Sequence, residues 1–368
     1  MPRRVLRFWL PLAVIAAGLA LVPVVALTET SVETRLKKAA GLPHRCLPDT
    51  QDEPGWREEA SMPLDTDEPR AVTVGGKVYL AGGIASIDYP EKELTGPDAQ
   101  ARVPVTSMKT FRRFDPESGR YETLAPMPEA LNHIGLVADG DDIYVVGGHG
   151  NRLYGGDVRN SLFRYSVAED RWTRLADMPT ARGALAVGII DGKLYAAGGM
   201  TGGRPLGHAV KSLEVYDIAR DRWSRGPDMP TAREHVGGTV LDGRFYVLGG
   251  RDARTDALGT ATRFDPASGK WEALPPLRVA AGGLEAVNED GAVLALGGGD
   301  DRGGTVTGAV QRYEPSEDRW RVVSRMRTPR HGFAATVVGS RIYTFGGSPC
   351  ALFAASKFAE SFDPGEAG

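Results

Sequence analysis

The chain has 368 residues, with 44 lysines and arginines against 47 aspartates and glutamates, and a formal net charge of −3. A mildly acidic chain without a basic run does not match a phosphate backbone, which excludes a nucleic-acid partner. Its length allows two or three ordinary domains or one large repeat architecture, and its two cysteines exclude a disulfide-dense scaffold.

Residues 1–27 open with Arg3, Arg4 and Arg7 and continue through a mostly apolar stretch, 8–27, that contains Val24-Val25-Ala26. This reads as an export signal with a Val-x-Ala cleavage site. The apolar run is also as long as a membrane span, so a retained anchor is the other reading. Either way the folded part is expected outside the cytoplasm, periplasmic or extracellular, because arginines on the short end stay inside. Residues 28–54 form a polar linker or stalk in which Glu29 and Glu33 precede Arg35, Lys37 and Lys38, the charge order of a short helix.

The body of the chain is a repeat. Glycine pairs stand at Gly82-Gly83, Gly147-Gly148, Gly198-Gly199, Gly249-Gly250, Gly297-Gly298 and Gly346-Gly347, roughly every fifty residues. Twenty residues before each pair stands an apolar anchor: Met62, Met127, Met178, Met229, Leu277 and Met326. Between anchor and pair run two apolar strands around a tight turn such as Asp191-Gly192, and after the pair come a variable loop and two further short strands. Such a four-stranded antiparallel sheet cannot bury its faces alone, so the units must stack on one another. The constant offset marks the hairpin as scaffold and the loop after the glycines as the place where the copies differ.

Each repeat carries further marks. Tyr79, Tyr144, Tyr195, Tyr246 and Tyr343 precede the glycines. Phe114-Asp115-Pro116, Tyr216-Asp217, Phe264-Asp265-Pro266, Tyr313-Glu314-Pro315 and Phe362-Asp363-Pro364 follow them, and Tyr121, Trp172, Trp223, Trp271 and Trp320 supply a spaced aromatic. In these motifs residues 55–364 resemble the kelch-repeat β-propellers. The resemblance implies an all-β, six-bladed ring of four-stranded antiparallel blades, followed by a short tail, 365–368. The fifth copy is degenerate, with Leu294 for Tyr and Leu277 for Met.

Two features concern the ends of the ring. The last repeat stops before its tryptophan strand, while Gly55-Trp56 and Met62-Pro63 form a fourth strand with no three before it. The N-terminal strand is therefore expected to close the sixth blade, giving a monomeric ring without an open blade edge. Cys46 lies just before that strand and Cys350 just after the last glycine pair. They read as a disulfide across the seam, restricting the unfolded chain by about 4–5 kcal/mol, or as two free buried thiols. The longest loop, 84–110, is rich in Pro, Asp, Glu and Lys, and is either functional or a solvated insertion.

Chemistry is expected around the channel. Thirteen residues before each glycine pair stand Pro69, Ile134, Leu185, Val236, Leu284 and Phe333, apolar and assigned to the contacts between blades. By strand alternation, the residues twelve and fourteen before it should face the channel. Most of these are small, which makes Glu68, Arg70, His133, His235 and Glu285 stand out as one funnel. Arg182, Arg233, Glu234, Arg330 and His331 are expected at its rim. These residues are either structural or a polar ligand site. No metal-ligand spacing or cofactor motif is present, so no metal and no cofactor is expected.

The reading is an exported binding module for a carbohydrate or protein partner, with membrane attachment through residues 8–27 as an option. The resemblance also brings in two enzymes. Galactose oxidase needs a copper set of Tyr, His and a crosslinked Cys that the repeats do not offer. The sialic acid mutarotase uses a carboxylate and arginines on its sugar, and Glu234 or Glu285 with Arg233 or Arg70 carry that alternative, a sugar mutarotase or epimerase.

Overall fold

The computed structural model describes residues 49–86, 105–150, 157–202, 207–252, 256–300, 304–350 and 354–367. The expected signal or anchor, most of the linker, Cys46 and most of the 84–110 loop lie outside the described residues. Six four-stranded antiparallel sheets follow one another along the chain. Blade one consists of Arg70–Val74, Lys77–Ala81, Phe111–Asp115 and Arg120–Thr123. The same order recurs in the next four blades, whose innermost strands are Gly135–Asp139, Ala186–Ile190, Gly237–Leu241 and Glu285–Glu289.

Blade six takes three strands from the C-terminal end, Ala334–Val338, Arg341–Phe345 and Ala359–Phe362. Its fourth is Trp56–Glu58, paired in the register Trp56 to Phe362 and Glu58 to Glu360. Trp56 stacks on Phe362 with ring centroids 5.0 Å apart. The innermost strands touch in cyclic order, blade six against blade one included, so the ring is closed.

The repeated residues are the joints between blades. Each spaced aromatic donates a hydrogen bond to the blade before it: Trp172 to Ala125 O, Trp223 to Ala176 O, Trp271 to Pro227 O and Trp320 to Pro275 O, at 2.8–3.0 Å. Tyr121 does the same to Ala60 O at 2.8 Å, and Trp56 to Ser324 Oγ at 3.2 Å. The closing strand thus repeats the latch used elsewhere.

The glycine pairs are a second joint. The second glycine of each pair donates to a carbonyl of the next blade, as Gly199 N does to Arg233 O at 2.8 Å and Gly347 N to Thr66 O at 2.8 Å. The first glycine lies against the same carbonyl. At Gly198, with φ +66°, a Cβ would stand 2.8 Å from Arg233 O and 2.9 Å from the Met229 methyl. Only glycine tolerates both the left-handed backbone and that approach. The methionine anchor, twenty residues before its own glycines, packs on the glycines of the preceding blade. That is why the sequence keeps the two in step.

Candidate functional site

Five successive positions leading into each innermost strand divide the work at the axis. The first, sixteen residues before the glycine pair, is arginine in blades three, four and six. Arg182, Arg233 and Arg330 are fully buried. Arg182 donates to Gly198 O, Ser212 O and Ala196 O at 2.8–2.9 Å and to Glu214 Oε2 at 3.1 Å. Arg330 donates to Gly346 O and Thr344 Oγ1 at 2.8 Å and to Glu360 Oε2 at 2.7 Å. Arg233 meets Gly249 O, Thr260 O and Thr262 Oγ1 at 2.8–2.9 Å. Burial lowers the Arg182 and Arg233 guanidinium pKa to about 10. These three were expected at the funnel rim, and the structure places them inside the blades. A guanidinium offers five donors in a fixed fork, and in these three the terminal nitrogens meet carbonyls around the glycine pair together with a hydroxyl or a carboxylate of the same blade.

The next position holds Asp67, Asn132, Gly183, Glu234, Gly282 and His331. Each forms an antiparallel bridge with the residue just after a glycine pair: Ile84, His149, Met200, Arg251, Gly299 and Ser348. Glu234 N and Arg251 N exchange bonds with each other's carbonyls at 3.1 and 2.8 Å, and His331 does so with Ser348 at 3.0 and 2.8 Å. His331 is therefore buried in this bridge layer and not at an open rim.

The third position departs from the alternation argument. Glu68, His133, Ala184 and His235 lie outside the strands and have φ of 55°, 51°, 55° and 52°, the left-handed region. Gly283 and Gly332 take the same conformation in blades five and six. Backbone bonds join the six residues around the axis: Ala184 N to His133 O, His235 N to Ala184 O, Gly283 N to His235 O, Gly332 N to Gly283 O, and Glu68 N to Gly332 O, at 2.7–2.9 Å. A left-handed turn lets each residue hand its N–H to the blade before while its side chain enters the centre. Non-glycine residues in this conformation carry strain and concentrate at functional sites.

The remaining two positions correct the expectation further. The apolar set at the fourth position is buried between blades as expected. The fifth position, however, faces the next blade and not the channel. A Cβ on Gly135 would stand 2.5 Å from Val187, and one on Gly237 2.8 Å from Leu284. Propeller sheets stack face to face, so both faces of the innermost strand meet neighbours and only its edge lines the axis. Arg70 and Glu285 begin in this interface, yet their long side chains reach the centre, where Arg70 Nη1 lies 2.9 Å from Glu285 Oε1. Arg70 Nη2 is 3.8 Å from Glu68 Oε2.

The convergence expected of Glu68, Arg70, His133, His235 and Glu285 is therefore present, for a different geometric reason. His133 Nε2 and His235 Nε2 are 3.0 Å apart, and Glu68 Oε1 is 3.5 Å from His133 Nε2. The Nδ1 atom of His133 meets Asn132 Oδ1, and that of His235 meets Glu234 Oε2. The donor atoms of Glu68, His133 and His235 all lie within 4.8 Å of one another. Glu234, expected at the rim, is buried behind His235.

Sequence reasoning missed Asp67, Asn132, His149 and Arg251. Asp67 Oδ1 accepts from Glu68 N at 3.1 Å, while its buried Oδ2 has no hydrogen-bond partner among the described residues. Burial and then the neighbouring Glu68 push the Asp67 carboxyl well above the usual range. Burial also raises Glu285 to about 7, against the opposing charge of Arg70 and with a further contribution from Glu68. A signal for Asp67, His149 and Arg251 was available in the glycines of an adjoining blade. The His149 ring lies where a Cβ on Gly183 would be, Arg251 lies over Gly282, and the Asp67 and Glu68 carboxyls lie over Gly332.

Residues 68–275 and, overlapping them, 133–347 match the KLHDC2/KLHL20/DRC7 Kelch-repeats domain. The chain is 25% identical to Kelch-like protein 35 of Mus musculus over 61% of its own length and 34% of the relative's. It is 28% identical to Kelch-like protein terF of Aspergillus terreus over 64% of its length and 50% of the relative's, so it spans a third to a half of these relatives. The solved structure of YjhT superposes with a TM-score of 0.64 at 13% identity, over 83% of this chain and 95% of that one, a likeness of fold. With six glycine-pair hairpins, a closed ring of four-stranded blades and the domain match across most of its length, the chain belongs to the kelch-repeat β-propeller family.

Proposed function

We propose that the chain is a binding module and not a catalyst, and that a segment of a protein partner docks at the axis over Glu68, Arg70, His133, His235 and Glu285. The observation that carries this reading is the left-handed position. Three blades place Glu68, His133 and His235 there, where the others keep Ala184, Gly283 and Gly332. The scaffold does not need these side chains, and strain is retained where function uses it. The carboxyls of Asp67, Glu68 and Glu285 lie beside the guanidinium groups of Arg70 and Arg251, and the Glu234 carboxylate meets His235. These carboxyls suit a partner that presents a lysine, an arginine or an amino terminus, whose cation would draw the proton from a raised carboxyl.

The mutarotase alternative finds little support in this arrangement. The Arg233 side chain donates to carbonyls within its own blade, and the Glu234 carboxylate holds His235. Parallel peptide and glycan arrays probed with the purified protein test the reading. Basic peptides should be retained, and Glu285→Gln and His235→Ala should weaken them by about 1–3 kcal/mol. Retention of glycans alone would assign a carbohydrate ligand. Binding indifferent to both substitutions would move the site to the 84–110 loop.

We further infer that the ring works outside the cytoplasm, because of the arginines and apolar stretch in residues 1–27, with attachment through 8–27 where that stretch is retained. In such a compartment Cys46 and Cys350 form a bridge across the seam. Thiol labelling of the protein denatured without reductant should then find no reactive cysteine. Two labelled thiols would remove the bridge.

A further inference from the structure

We propose that the axis of the ring is a binding site for a divalent transition-metal ion, with Glu68, His133 and His235 as its protein ligands. The hydrogen bonds behind the two rings decide where the imidazole protons must be. The Ser107 hydroxyl donates to Gly150 O at 2.9 Å, so its oxygen accepts from Asn132 Nδ2 at 2.7 Å. That chain fixes the Asn132 carboxamide with Oδ1 toward His133, and His133 Nδ1 must carry a proton to donate to it. His235 Nδ1 faces the Glu234 carboxylate, which requires a proton on that nitrogen as well. In their neutral forms both rings therefore direct Nε2 lone pairs at each other across 3.0 Å.

Two lone pairs at that distance, beside a carboxylate and away from solvent, repel unless a cation lies between them. Metal–imidazole bonds of about 2.0–2.1 Å at angles between 90° and tetrahedral put two nitrogens about 2.9–3.4 Å apart, and the observed separation falls in that range. Glu68 Oε1, 3.5 Å from His133 Nε2, completes a set of two imidazoles and one carboxylate, the ligand chemistry of Zn²⁺ and Fe²⁺ sites. The Nδ1 partners have the form such sites use, one carboxylate and one amide carbonyl behind the two rings, holding tautomer and orientation. Three ligands on one side of an ion leave positions open along the axis for water or a donor from a partner. An ion at the axis goes beyond the binding reading, and no ligand spacing in the chain announces it.

The test uses the tag-free protein, treated with chelator, and Zn²⁺ followed by calorimetry or Co²⁺ by its visible absorption. One ion per chain should bind, with nitrogen and oxygen ligation in the Co²⁺ spectrum. His133→Ala and His235→Ala should abolish the signal, and Ala184 shows that alanine is accepted in this backbone conformation. Asn132→Ala should weaken binding by about 10–100-fold through its hold on His133, and the exposed His208→Ala should leave it unchanged. Failure to bind either ion, or binding indifferent to both histidine variants, overturns the proposal. In that case the cation between the rings is a proton. Peptide arrays repeated in chelator separate this outcome from failure of the binding reading.

Discussion

Arg330 and Arg70 belong to hairpins of adjacent blades, and both side chains are largely withdrawn from solvent, yet they have opposite meanings. Arg330 is satisfied by Gly346 O, Thr344 and Glu360, all within its own blade. Arg70 donates to Pro69 O at 3.2 Å and pairs with Glu68 of its own blade and, across the axis, with Glu285, side chains that blades three, four and six replace with Ala or Gly at one or both positions. A buried charge held by backbone carbonyls is part of the scaffold, since removing it orphans groups every blade must satisfy. A buried charge whose ionic partners are side chains that the fold does not require marks a site. The comparison separates the three braces from the axial cluster.

The largest effect expected on the scaffold side comes from the seam. A chain truncated before Pro69 lacks the Trp56–Glu58 strand and with it the outer strand and latch of blade six. Its denaturant unfolding should lose cooperativity. An unchanged transition would show that the ring does not depend on this closure.

Next come the arginines themselves. Arg330→Ala strands the buried Glu360 carboxylate and should cost about 3–5 kcal/mol in denaturant unfolding. Arg70→Ala should cost only about 1 kcal/mol near neutral pH, because Glu285, already raised to about 7, can take a proton once its partner is gone. Equal costs would erase the distinction between brace and site.

The Glu285 carboxyl gives a third, smaller handle. Its folded pKa of about 7 stands above the unfolded value of 4.5, so the folded state holds this proton more tightly. The stabilisation is complete below pH 4.5 and is lost as pH rises through 7, about 3 kcal/mol in all. Carboxyl NMR should find one glutamate titrating near pH 7. In Glu285→Gln that resonance should vanish and the fall in stability across the same window should flatten. A midpoint in the ordinary carboxylate range would show that the centre is wetter than its burial implies.

The scaffold was legible because each of its joints is periodic. The glycine pair, the methionine anchor and the spaced aromatic each make one contact to a neighbouring blade, and six copies keep the offsets aligned. The site was legible only in part. Glu68, His133 and His235 stood out as large residues where other copies are small, but strand alternation was the wrong warrant, since a positive φ at a non-glycine residue leaves no mark in sequence. Arg182, Arg233 and Arg330 misled because an arginine four residues after the anchor looks the same whether it braces a blade or lines a mouth. Its carbonyl partners carry no side-chain signature. His149 and Arg251 were hidden because the evidence for them lies a blade away, in the glycines over which they fold.

The smallest effect concerns a difference among the braces. Arg182 and Arg330 each end on a buried carboxylate, Glu214 and Glu360, which also accepts from Thr180 or Thr328 at 2.7 and 2.6 Å. Arg233 has Thr262 in that place. Methionine in place of each arginine keeps most of the buried stem and removes the donors. Arg233→Met orphans neutral acceptors alone, the carbonyls and the Thr262 hydroxyl, whereas Arg330→Met also leaves the Glu360 carboxylate with a single hydroxyl donor among the described residues. The second substitution should therefore cost about 1–2 kcal/mol more than the first in denaturant unfolding. Adding Glu360→Gln should recover that excess and no more, since it neutralises the stranded charge without restoring the carbonyl bonds. Equal costs for the two single substitutions would mean that the carbonyls alone hold the braces. The ion pair would then be as dispensable to the scaffold as Arg70 and Glu285 are at the axis.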